Sequence, residues 1–258
     1  MFANLLQGQV AVVAGGTSPI GMRIAQEFAQ AGALGVMLVG RDEARGRHAS
    51  VELERRVAGA RFVFSAADLA EPAQCDRVFQ LAVDVFGGID VYVHCVPPLV
   101  AGGRFTGIER ASIGQGGGDG GGGLFQACHA VLAHLSARGG AILTFASDAG
   151  RVASRGQTLV GATQSAIMQF TRALALEVSA EKVRVNCISP SYVRDTPVYD
   201  RLMQQPGRAA SVERAASRAA LGLPAPEDIA PLALFLCSRL ASKITGQVIS
   251  VNGGLTAA

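Results

Sequence analysis

Short apolar runs alternate along the chain with longer segments in which apolar residues recur every three or four positions. The runs are rich in valine and isoleucine and nearly continuous, which is typical of strands covered on both faces. They comprise residues 10–14, 36–39, 62–64, 89–94, 141–145, 183–188 and 248–251. Between them, stripes such as Ile20, Ile24 and Phe28 indicate helices with one buried face. This alternation predicts an α/β protein with a doubly wound parallel sheet, which binds ligands beyond the carboxyl ends of its strands.

One segment does not follow this pattern. The run GQGGGDGGGG, residues 114–123, stands where a helix should begin and continue into LFQACHAVLAHL. Each interior glycine destabilises a helix by ~0.8–1 kcal/mol relative to alanine, so a run of glycines should prevent helix formation. Either the segment is a flexible loop, or the glycines stand in place of side chains that were not identified. In the second case a functional residue is hidden there.

Composition and charge exclude several classes of partner. The net charge is +3 over 258 residues without a basic or acidic block, which argues against nucleic acid or an anionic membrane as the main partner. No apolar run reaches the ~18 residues of a membrane span, and the N-terminal residues do not resemble a signal peptide. The cysteines are widely spaced without a CxxC pair, as in reduced cytoplasmic proteins. The histidines lack metal-site spacing, so we expect a cytoplasmic protein without a metal.

A glycine-rich turn follows the first predicted strand, in VVAGGTSPIGMRIA at residues 12–25. Gly15 and Gly21 match a G-x-x-x-G-x-G arrangement, in which glycines let a pyrophosphate approach the backbone at a helix N-terminus. Pro19 replaces the middle glycine, which presets the helical φ angle but removes one N–H donor. A dinucleotide is therefore expected to contact Gly15, Thr17, Ser18, Ile20 and Gly21.

The ends of the second and third predicted strands carry groups that would select the cofactor. An NAD site usually places a carboxylate at the end of the second strand, where it accepts from the ribose hydroxyls. Here that position is Gly40, and Arg41 follows it. A guanidinium at this point suits a 2′-phosphate, so NADP is expected rather than NAD. After the third strand, Asp68 and Leu69 follow in AADL, and Asp68 could accept a hydrogen bond from the adenine amino group.

Two C-terminal segments carry a specific resemblance to a known family. RVNCISPSYVRDT, residues 184–196, is similar to the N-x-I-x-P-G-x-v-x-T segment of the short-chain dehydrogenase/reductase (SDR) family, and residues 226–254 resemble its closing helix, loop and last strand. The resemblance covers essentially all of residues 1–258. It implies a single Rossmann-like domain, with a doubly wound seven-stranded parallel sheet flanked by helices. It also implies cofactor contacts at Pro190, Val193 and Thr196.

The same resemblance implies an oligomer. SDR proteins are usually homodimers or homotetramers, often built through the helix that here contains SAIMQFTRALALEV.

The catalytic groups of the family are largely missing at the matching positions. SDR enzymes use a serine, a tyrosine thirteen residues further on, a lysine four residues beyond it, and an upstream asparagine. Ser147 matches the serine. Val160 and Gln164 stand at the tyrosine and lysine positions, and Gly120 stands at the asparagine position. A valine cannot donate a proton and a glutamine cannot supply charge that shifts a neighbouring pKa, so the usual carbonyl reduction is not expected.

Further departures from the family pattern lie on the same side of the expected fold. HCVP at residues 94–97 replaces N-N-A-G, Ala14 replaces the leading threonine of the turn, and Ser191 replaces the glycine of the P-G pair. The C-terminal packing segments keep the family pattern. The changes therefore concentrate around the cofactor and the active site.

Three interpretations remain open. In the first, an NADP-linked oxidoreductase keeps hydride transfer with another proton donor, Tyr192 near the nicotinamide, while Ser147 orients the substrate. In the second, the old pocket serves a non-redox lyase, isomerase or cyclase, with His94 or Asp148 as the acid or base. In the third, the protein is a non-catalytic pseudoenzyme, either an oligomer partner of an SDR homologue or a nucleotide sensor.

Residues 192–224 are expected to form a substrate lid, here called the lid segment. It is rich in arginine and alanine and contains few aromatic residues. Arg194, Arg201 and Arg208 either meet an acidic substrate, such as an acyl thioester, or are solvated surface charges.

Overall fold

The protein is built on one sheet of seven parallel strands. A computed structural model describes residues 4–113, 123–135 and 138–257. The strands are β1 (Val10–Ala14), β2 (Gly35–Gly40), β3 (Phe62–Ala66), β4 (Val91–His94), β5 (Gly140–Phe145), β6 (Val183–Pro190) and β7 (Val248–Val251). Their order is β3-β2-β1-β4-β5-β6-β7, and each neighbouring pair is parallel. The predicted doubly wound seven-stranded sheet is confirmed.

Helices cover both faces of the sheet. Within the described ranges they are α1 (Pro19–Gln30), α2 (Glu43–Arg56), α3 (Pro72–Phe86), α4 (Leu124–Leu135), α5 (Thr158–Glu177), α6 (Pro197–Met203), α7 (Pro206–Arg218) and α8 (Pro226–Cys237). Helices α1, α2 and α8 bury one face of the sheet, with Phe28 and Leu53 in that core. Helices α3, α4 and α5 bury the other face, with Phe79 and Ile167 in that core.

The central strand β1 is apolar on both sides because it separates these two cores. Successive side chains of a strand point to opposite faces. Val12 belongs to the core under α3, α4 and α5, whereas Val13 belongs to the core under α1, α2 and α8, and both are fully buried. Burying a valine side chain completely contributes about 1.5–3 kcal/mol. This packing fixes where β1 ends and therefore where the glycine-rich turn begins.

The carboxyl ends of the strands bring the predicted site residues to one edge of the sheet. Residues at or just beyond these ends are Gly15, Arg41, Asp68, His94, Ser147 and Pro190. Beyond β6, helices α6 and α7 form most of the lid segment. They pack around a separate small cluster in which Val212, Ala219 and Leu223 are buried. That this segment acts as a lid remains a prediction.

The helix predicted after the glycine run begins at Leu124. Residues 114–122, which include Gly120, lie outside the described residues. Gly123 has a φ of +78°, and a Cβ there would collide with the carbonyl group of Leu69. A side chain at position 123 would therefore force apart the start of α4 and the loop after β3.

Candidate cofactor and active site

The turn after β1 is packed closely against the neighbouring strand ends. Gly15 has a φ of +74°, and a Cβ there would lie 3.0 Å from the carbonyl carbon of Cys95, just beyond β4. On the other side, a Cβ on Gly40 would lie 3.4 Å from the Thr17 hydroxyl, so Thr17 stands beside the end of β2. The turn is thus held between β4 and β2, with its backbone at the carboxyl edge of the sheet.

The first turn of α1 leaves one N–H donor available. Ser18 is the N-cap: its Oγ accepts from the Gly21 N–H at 3.1 Å and donates to the Gly15 carbonyl at 2.8 Å. Pro19 has no N–H, and no described residue accepts from the Ile20 N–H. The Ile20 amide lies at the positive end of the helix dipole, so it is the donor that could bind a pyrophosphate oxygen.

The guanidinium after β2 is unpaired. Arg41 is exposed and forms no ion pair with a described residue. The next residue, Asp42, is the N-cap of α2, and its Oδ1 accepts from the Arg45 N–H at 3.0 Å. The Asp42 carboxylate is therefore engaged in capping α2. The end of β2 offers a positive charge, which suits a phosphate better than a ribose hydroxyl.

The loop after β3 presents an anchored carboxylate. Asp68 is half-buried, its Oδ1 accepts from the Ala70 N–H at 3.0 Å, and its own N–H donates to Gln74 Oε1 at 2.9 Å. Leu69 is buried, and its carbonyl accepts from the Cys75 thiol at 3.1 Å. The second carboxylate oxygen of Asp68 has no hydrogen-bond partner among the described residues, so it can accept from a ligand.

These groups together fit the adenosine half of NADP. Arg41 could bind the 2′-phosphate, the Ile20 N–H a pyrophosphate oxygen, and Asp68 the adenine amino group. Because Ser18 already caps Gly21 and residue 19 is proline, the pyrophosphate would receive fewer backbone donors than an uncapped glycine turn would provide.

The segment that follows β5 packs directly on the start of α5. The Ser147 Oγ accepts weakly from the Ala149 N–H, at 3.4 Å. A Cβ on Gly161 would lie 2.7 Å from the Ala149 carbonyl oxygen, which explains the glycine at the first turn of α5. Ser165 Oγ donates to the Gly150 carbonyl at 2.7 Å. Backbone contact between these two elements therefore places the first turns of α5, which carry Val160 and Gln164, against the segment that begins at Ser147.

The side chains at these two positions supply no acid and no charge. Val160 is a half-buried aliphatic group in the first turn of α5. Gln164 is 7% exposed, and its Oε1 has no hydrogen-bond partner among the described residues, nor do the hydroxyls of Ser189 and Ser191. Ser189 shares with Cys187 the face of β6 that α5 covers. Buried polar groups are nearly always hydrogen-bonded, so these three atoms mark a place for water or a polar ligand.

Within the described part of the chain, none of the three tyrosines forms a hydrogen bond with Ser147. Tyr192 and Tyr199 pack against the small lid cluster that contains Val212 and Leu223, and neither forms a hydrogen bond with Ser147. The third, Tyr92, is fully buried within β4. The role of Tyr192 as proton donor to a substrate oriented by Ser147 remains a prediction.

His94 is buried at the end of β4 and is engaged in a hydrogen bond. It is 2% exposed, and its Nδ1 lies 2.7 Å from the Tyr92 hydroxyl. Burial raises the pKa of Tyr92 well above its usual value, so this phenol stays protonated. The pair is a buried polar contact within the core, which disfavours His94 as an acid or base facing a substrate.

Asp148 is saturated by side chains from the C-terminal end of the chain. Its carboxylate accepts from Asn252 Nδ2 at 2.7 Å, Thr256 Oγ1 at 3.0 Å and Ser250 Oγ at 3.3 Å. The residue is 6% exposed. These partners could not be predicted from the sequence, because they lie more than 100 residues away. The Asn-Gly-Gly after β7 indicates only a turn.

Two of the predicted cofactor contacts, Pro190 at the end of β6 and Thr196 beyond it, interact with other residues of the protein. Thr196 is the N-cap of α6: its Oγ1 donates to the Val193 carbonyl at 2.8 Å and accepts from the Tyr199 N–H at 3.3 Å. Pro190 is buried and pairs with Val251 in the sheet. These contacts set the direction in which the lid segment leaves the sheet.

Burial keeps the thiols protonated, and the described residues contain neither a metal-binding cluster nor a helix that could span a membrane. All five cysteines are free, and burial raises the pKa of Cys75 and of Cys187 to about 11, so both stay protonated near neutral pH. Within residues 4–113, 123–135 and 138–257, no group of three or more His, Cys, Asp or Glu side chains could hold a metal ion. Over the same ranges, no helix is long and apolar enough to cross a membrane.

The strand order, with the glycine-rich turn after β1, defines a Rossmann-like α/β protein whose ligand site lies at the carboxyl edge of the sheet. A family profile described as enoyl-(acyl carrier protein) reductase matches residues 14–256. The chain therefore belongs to the short-chain dehydrogenase/reductase family of oxidoreductases, as the resemblance predicted.

Individual relatives agree with this assignment over their whole lengths. The 3-oxoacyl-(acyl-carrier-protein) reductase FabG of Chlamydia muridarum is 32% identical over 264 residues, covering 98% of this chain and 99% of the relative. BbsD of Thauera aromatica, named as a subunit of a dehydrogenase acting on a substituted succinyl-CoA, is 30% identical over 260 residues, covering 96% and 97%. A solved SDR structure from Brucella melitensis has a TM-score of 0.86 at 28% identity, covering 99% of this chain and 100% of that one.

Proposed function

We propose that the protein is an NADP-linked SDR oxidoreductase that reduces an activated carbon–carbon double bond rather than an ordinary ketone. The observation that supports this most directly is that the first turns of α5, packed on the segment that begins at Ser147, carry Val160 and Gln164. When bound, NADPH supplies a hydride. A ketone that receives hydride becomes an alkoxide and needs an acid at once, and position 160 carries an aliphatic group that has no proton to give.

A conjugated thioester places different demands on the residues of the site. Hydride addition to its β-carbon gives an enolate. The negative charge of this enolate spreads onto the carbonyl oxygen, where a positioned hydroxyl can stabilise it by donating a hydrogen bond. Ser147 is the hydroxyl at the correct strand end for this role. The proton is added to carbon and can come from water, so a phenol at position 160 is not required.

The choice of NADP rests on the unpaired guanidinium of Arg41. An Arg–phosphate contact is a charge-assisted hydrogen bond, about twice as strong as a neutral one. The anchored carboxylate of Asp68 and the open Ile20 N–H lie at the adjacent strand ends, where adenine and pyrophosphate would be placed. The family profile and the FabG relative carry names of reductases acting on acyl carrier protein thioesters, which agrees with a nicotinamide cofactor.

The charge around the mouth of the site favours an acidic substrate. Residues 95–113, 147–157 and 191–224 together contain nine arginines and five acidic residues, whereas the whole chain has a net charge of only +3. Hydrogen bonds join these three segments, from Gly103 N–H to the Gly156 carbonyl and from Arg208 to the Gly102 carbonyl. The four positive charges in excess on these segments would attract an anionic ligand, so we propose an acyl thioester on a phosphate-bearing carrier as the substrate.

Binding and turnover measured separately test the proposal. Titration with NADPH and NADH, followed by fluorescence, should give tighter binding of NADPH. Turnover of an enoyl thioester should exceed that of the matching 3-oxoacyl thioester. Ser147→Ala should lower kcat by about 100-fold, the usual effect of losing one oxyanion donor. Ser242→Ala, at an exposed position between α8 and β7, is the matched control and should leave kcat unchanged. Faster turnover of the 3-oxoacyl substrate would refute the double-bond assignment.

A second candidate is a non-catalytic subunit that pairs with an active SDR homologue or senses the nucleotide. Loss of both acid and charge at Val160 and Gln164 favours it, and the relative BbsD is itself named as a subunit. The outward face of α5 carries the small residues Ala162, Ala166 and Ala173, and Leu176 on the same face is 79% exposed. Such a face suits close helix packing in a homodimer, homotetramer or hetero-oligomer.

Co-expression with a catalytic homologue separates the two candidates. A hetero-oligomer detected by native mass spectrometry, with no turnover by the isolated chain, would favour the subunit role. Binding of NADPH without turnover of ketones, enals or enoyl thioesters, and without a partner, would favour a sensor. The lyase or isomerase alternative has the least support, because His94 and Asp148 are both engaged within the protein.

A further inference from the structure

The last residues of the chain form a compact tail against residues 147–151, here called the Ser147 segment. This tail, residues 252–257, is closed on itself: Asn252 Nδ2 donates to the Thr256 carbonyl at 3.0 Å, and Asn252 Oδ1 accepts from the Gly254 N–H at 3.0 Å. The same Asn252 amide and the Thr256 hydroxyl both donate to Asp148. One carboxylate, next to Ser147 in sequence, thus holds both ends of the tail.

The opposite side of the tail contacts the base of the lid segment. The Leu221 N–H donates to the Gly253 carbonyl at 3.0 Å. Gly253 has a φ of +65°, and a Cβ there would collide with the Gly222 carbonyl, so the two backbones touch. Leu255 packs against the lid cluster. The other members of this cluster are Tyr192, Tyr199, Leu202, Val212, Ala219 and Leu223.

The Ser147 segment is fixed by contacts that do not involve the tail, whereas the lid has few such contacts. Ser165 binds the Gly150 carbonyl, and the Arg151 guanidinium donates to the Val248 carbonyl at 2.9 Å. The lid cluster is small and separate from the two main cores. Regions with few buried apolar contacts open locally at low free energy, so each lid contact, including Leu255, has a large share in keeping the lid closed.

We propose that Asp148 is a positioning residue: it binds the tail, and the tail, through Leu255, holds the lid segment 192–224 over the Ser147 segment. A charged acceptor suits this role because hydrogen bonds to a carboxylate are stronger than neutral ones. Without it, the Asn252 amide would keep only its acceptors on Thr256 within the tail, and the Thr256 hydroxyl would lose its acceptor on the Ser147 segment, so these bonds that anchor the tail would be lost. The tail would then leave its site and remove Leu255 from the lid.

Hydrogen exchange of backbone amides tests the proposal without assuming a reaction. In Asp148→Ala and in Leu255→Ala, amides of the lid segment should exchange about tenfold faster, while those of β1 and α1 should not change. Asp148→Asn should restore most of the protection, because its amide oxygen still accepts from Asn252. Asp84→Ala, an exposed acid on α3, is the matched control and should leave the lid unchanged. If Asp148→Ala fails to fold, Leu255→Ala still decides the role of the tail.

Unchanged lid exchange in both alanine variants would overturn the proposal, as would equal acceleration in β1 and α1, which indicates a general loss of stability. A kinetic measurement adds a second criterion and rests on the proposed function. With an enoyl thioester, Asp148→Ala should raise KM by about tenfold and leave kcat and the NADPH Kd within about threefold. A wild-type protein without turnover would refute the proposed reduction, and the exchange experiment would still decide the role of Asp148.

Discussion

The two ends of the candidate site differ in what their polar groups do. At the adenosine end, Arg41, the Ile20 N–H and one oxygen of Asp68 have no partner among the described residues and lie on well-anchored loops. At the reaction end, the carboxylate of Asp148 is saturated by the protein itself. There the position of the family's tyrosine carries Val160, in the first turn of the helix that packs on the segment beginning at Ser147.

Under the proposed function, binding and chemistry would depend on separate parts of the same sheet edge. The adenosine end uses backbone geometry set by β1, β2 and β3, which the two cores hold in place. The groups expected at the reaction end, Ser147, Val160 and Gln164, are side chains of the segment after β5 and of the first turns of α5. Substitution of these side chains can change the chemistry while the fold persists.

Restoring the acid and its cation should produce the largest effect. In the double variant Val160→Tyr and Gln164→Lys, reduction of a 3-oxoacyl thioester should rise by about 100-fold or more, since positioned acid catalysis contributes 10²–10⁴. The rate of NADPH oxidation measures it, with each single variant and the thermal midpoint as controls. A stable double variant that binds NADPH without any gain would mean that the reaction end is altered beyond these two positions.

Disturbing the glycine-rich turn should abolish most of the binding at the adenosine end. In Gly21→Ala, the new methyl group would collide with the Gly15 carbonyl, so the turn must shift. Such overpacking costs about 1–3 kcal/mol, equivalent to an NADPH Kd raised by about 10- to 100-fold. Gly107→Ala is the matched control, because no atom lies within 4 Å of a Cβ there. Equal Kd values for both variants would argue that the dinucleotide does not approach this turn.

Removing the charge at the end of β2 should have a smaller and more selective effect. Arg41→Ala should weaken NADPH by about tenfold, the loss of one hydrogen bond to a charged group, and leave NADH unaffected. Arg45→Ala, one turn further along the exposed start of α2, is the control. Titration of both variants with both nucleotides measures the selectivity. A similar loss for NADH would show that Arg41 does not read the 2′-phosphate.

Sequence patterns predicted the fold because burial leaves a local signal. Each of the seven predicted apolar runs overlaps a strand, although β6 continues to Pro190 and β4 begins only at Val91. The earlier part of that predicted strand contains Asp90, whose carboxylate accepts from the Val10 N–H at 2.8 Å. A polar contact of this kind moves the start of a strand without any change in the apolar periodicity, so the pattern could not predict it.

Residues of the candidate site could be predicted only where each of them directly follows a strand, so that the end of that strand fixes its position. The sequence placed Ser147 and Arg41 at the carboxyl edge because each follows its own strand. The partners of Asp148 were missed, since Asn252 and Thr256 are brought to it by the whole sheet. Likewise, nothing in the order of residues indicates that Tyr192 packs into the lid cluster.

The smallest effect is expected for Tyr192→Phe, which tests whether the reaction end contains a substitute acid. The ring belongs to the lid cluster, so the phenylalanine ring should keep its packing, and kcat with an enoyl thioester should stay within about twofold. Tyr192→Ala is the contrasting variant, since it opens a cavity in the cluster and should raise KM through the lid. Turnover and NADPH binding are measured for both. Loss of turnover in Tyr192→Phe with unchanged NADPH binding would identify its hydroxyl as the proton donor. In that case the two ends of the site would both be functionally complete, and the contrast between them would disappear.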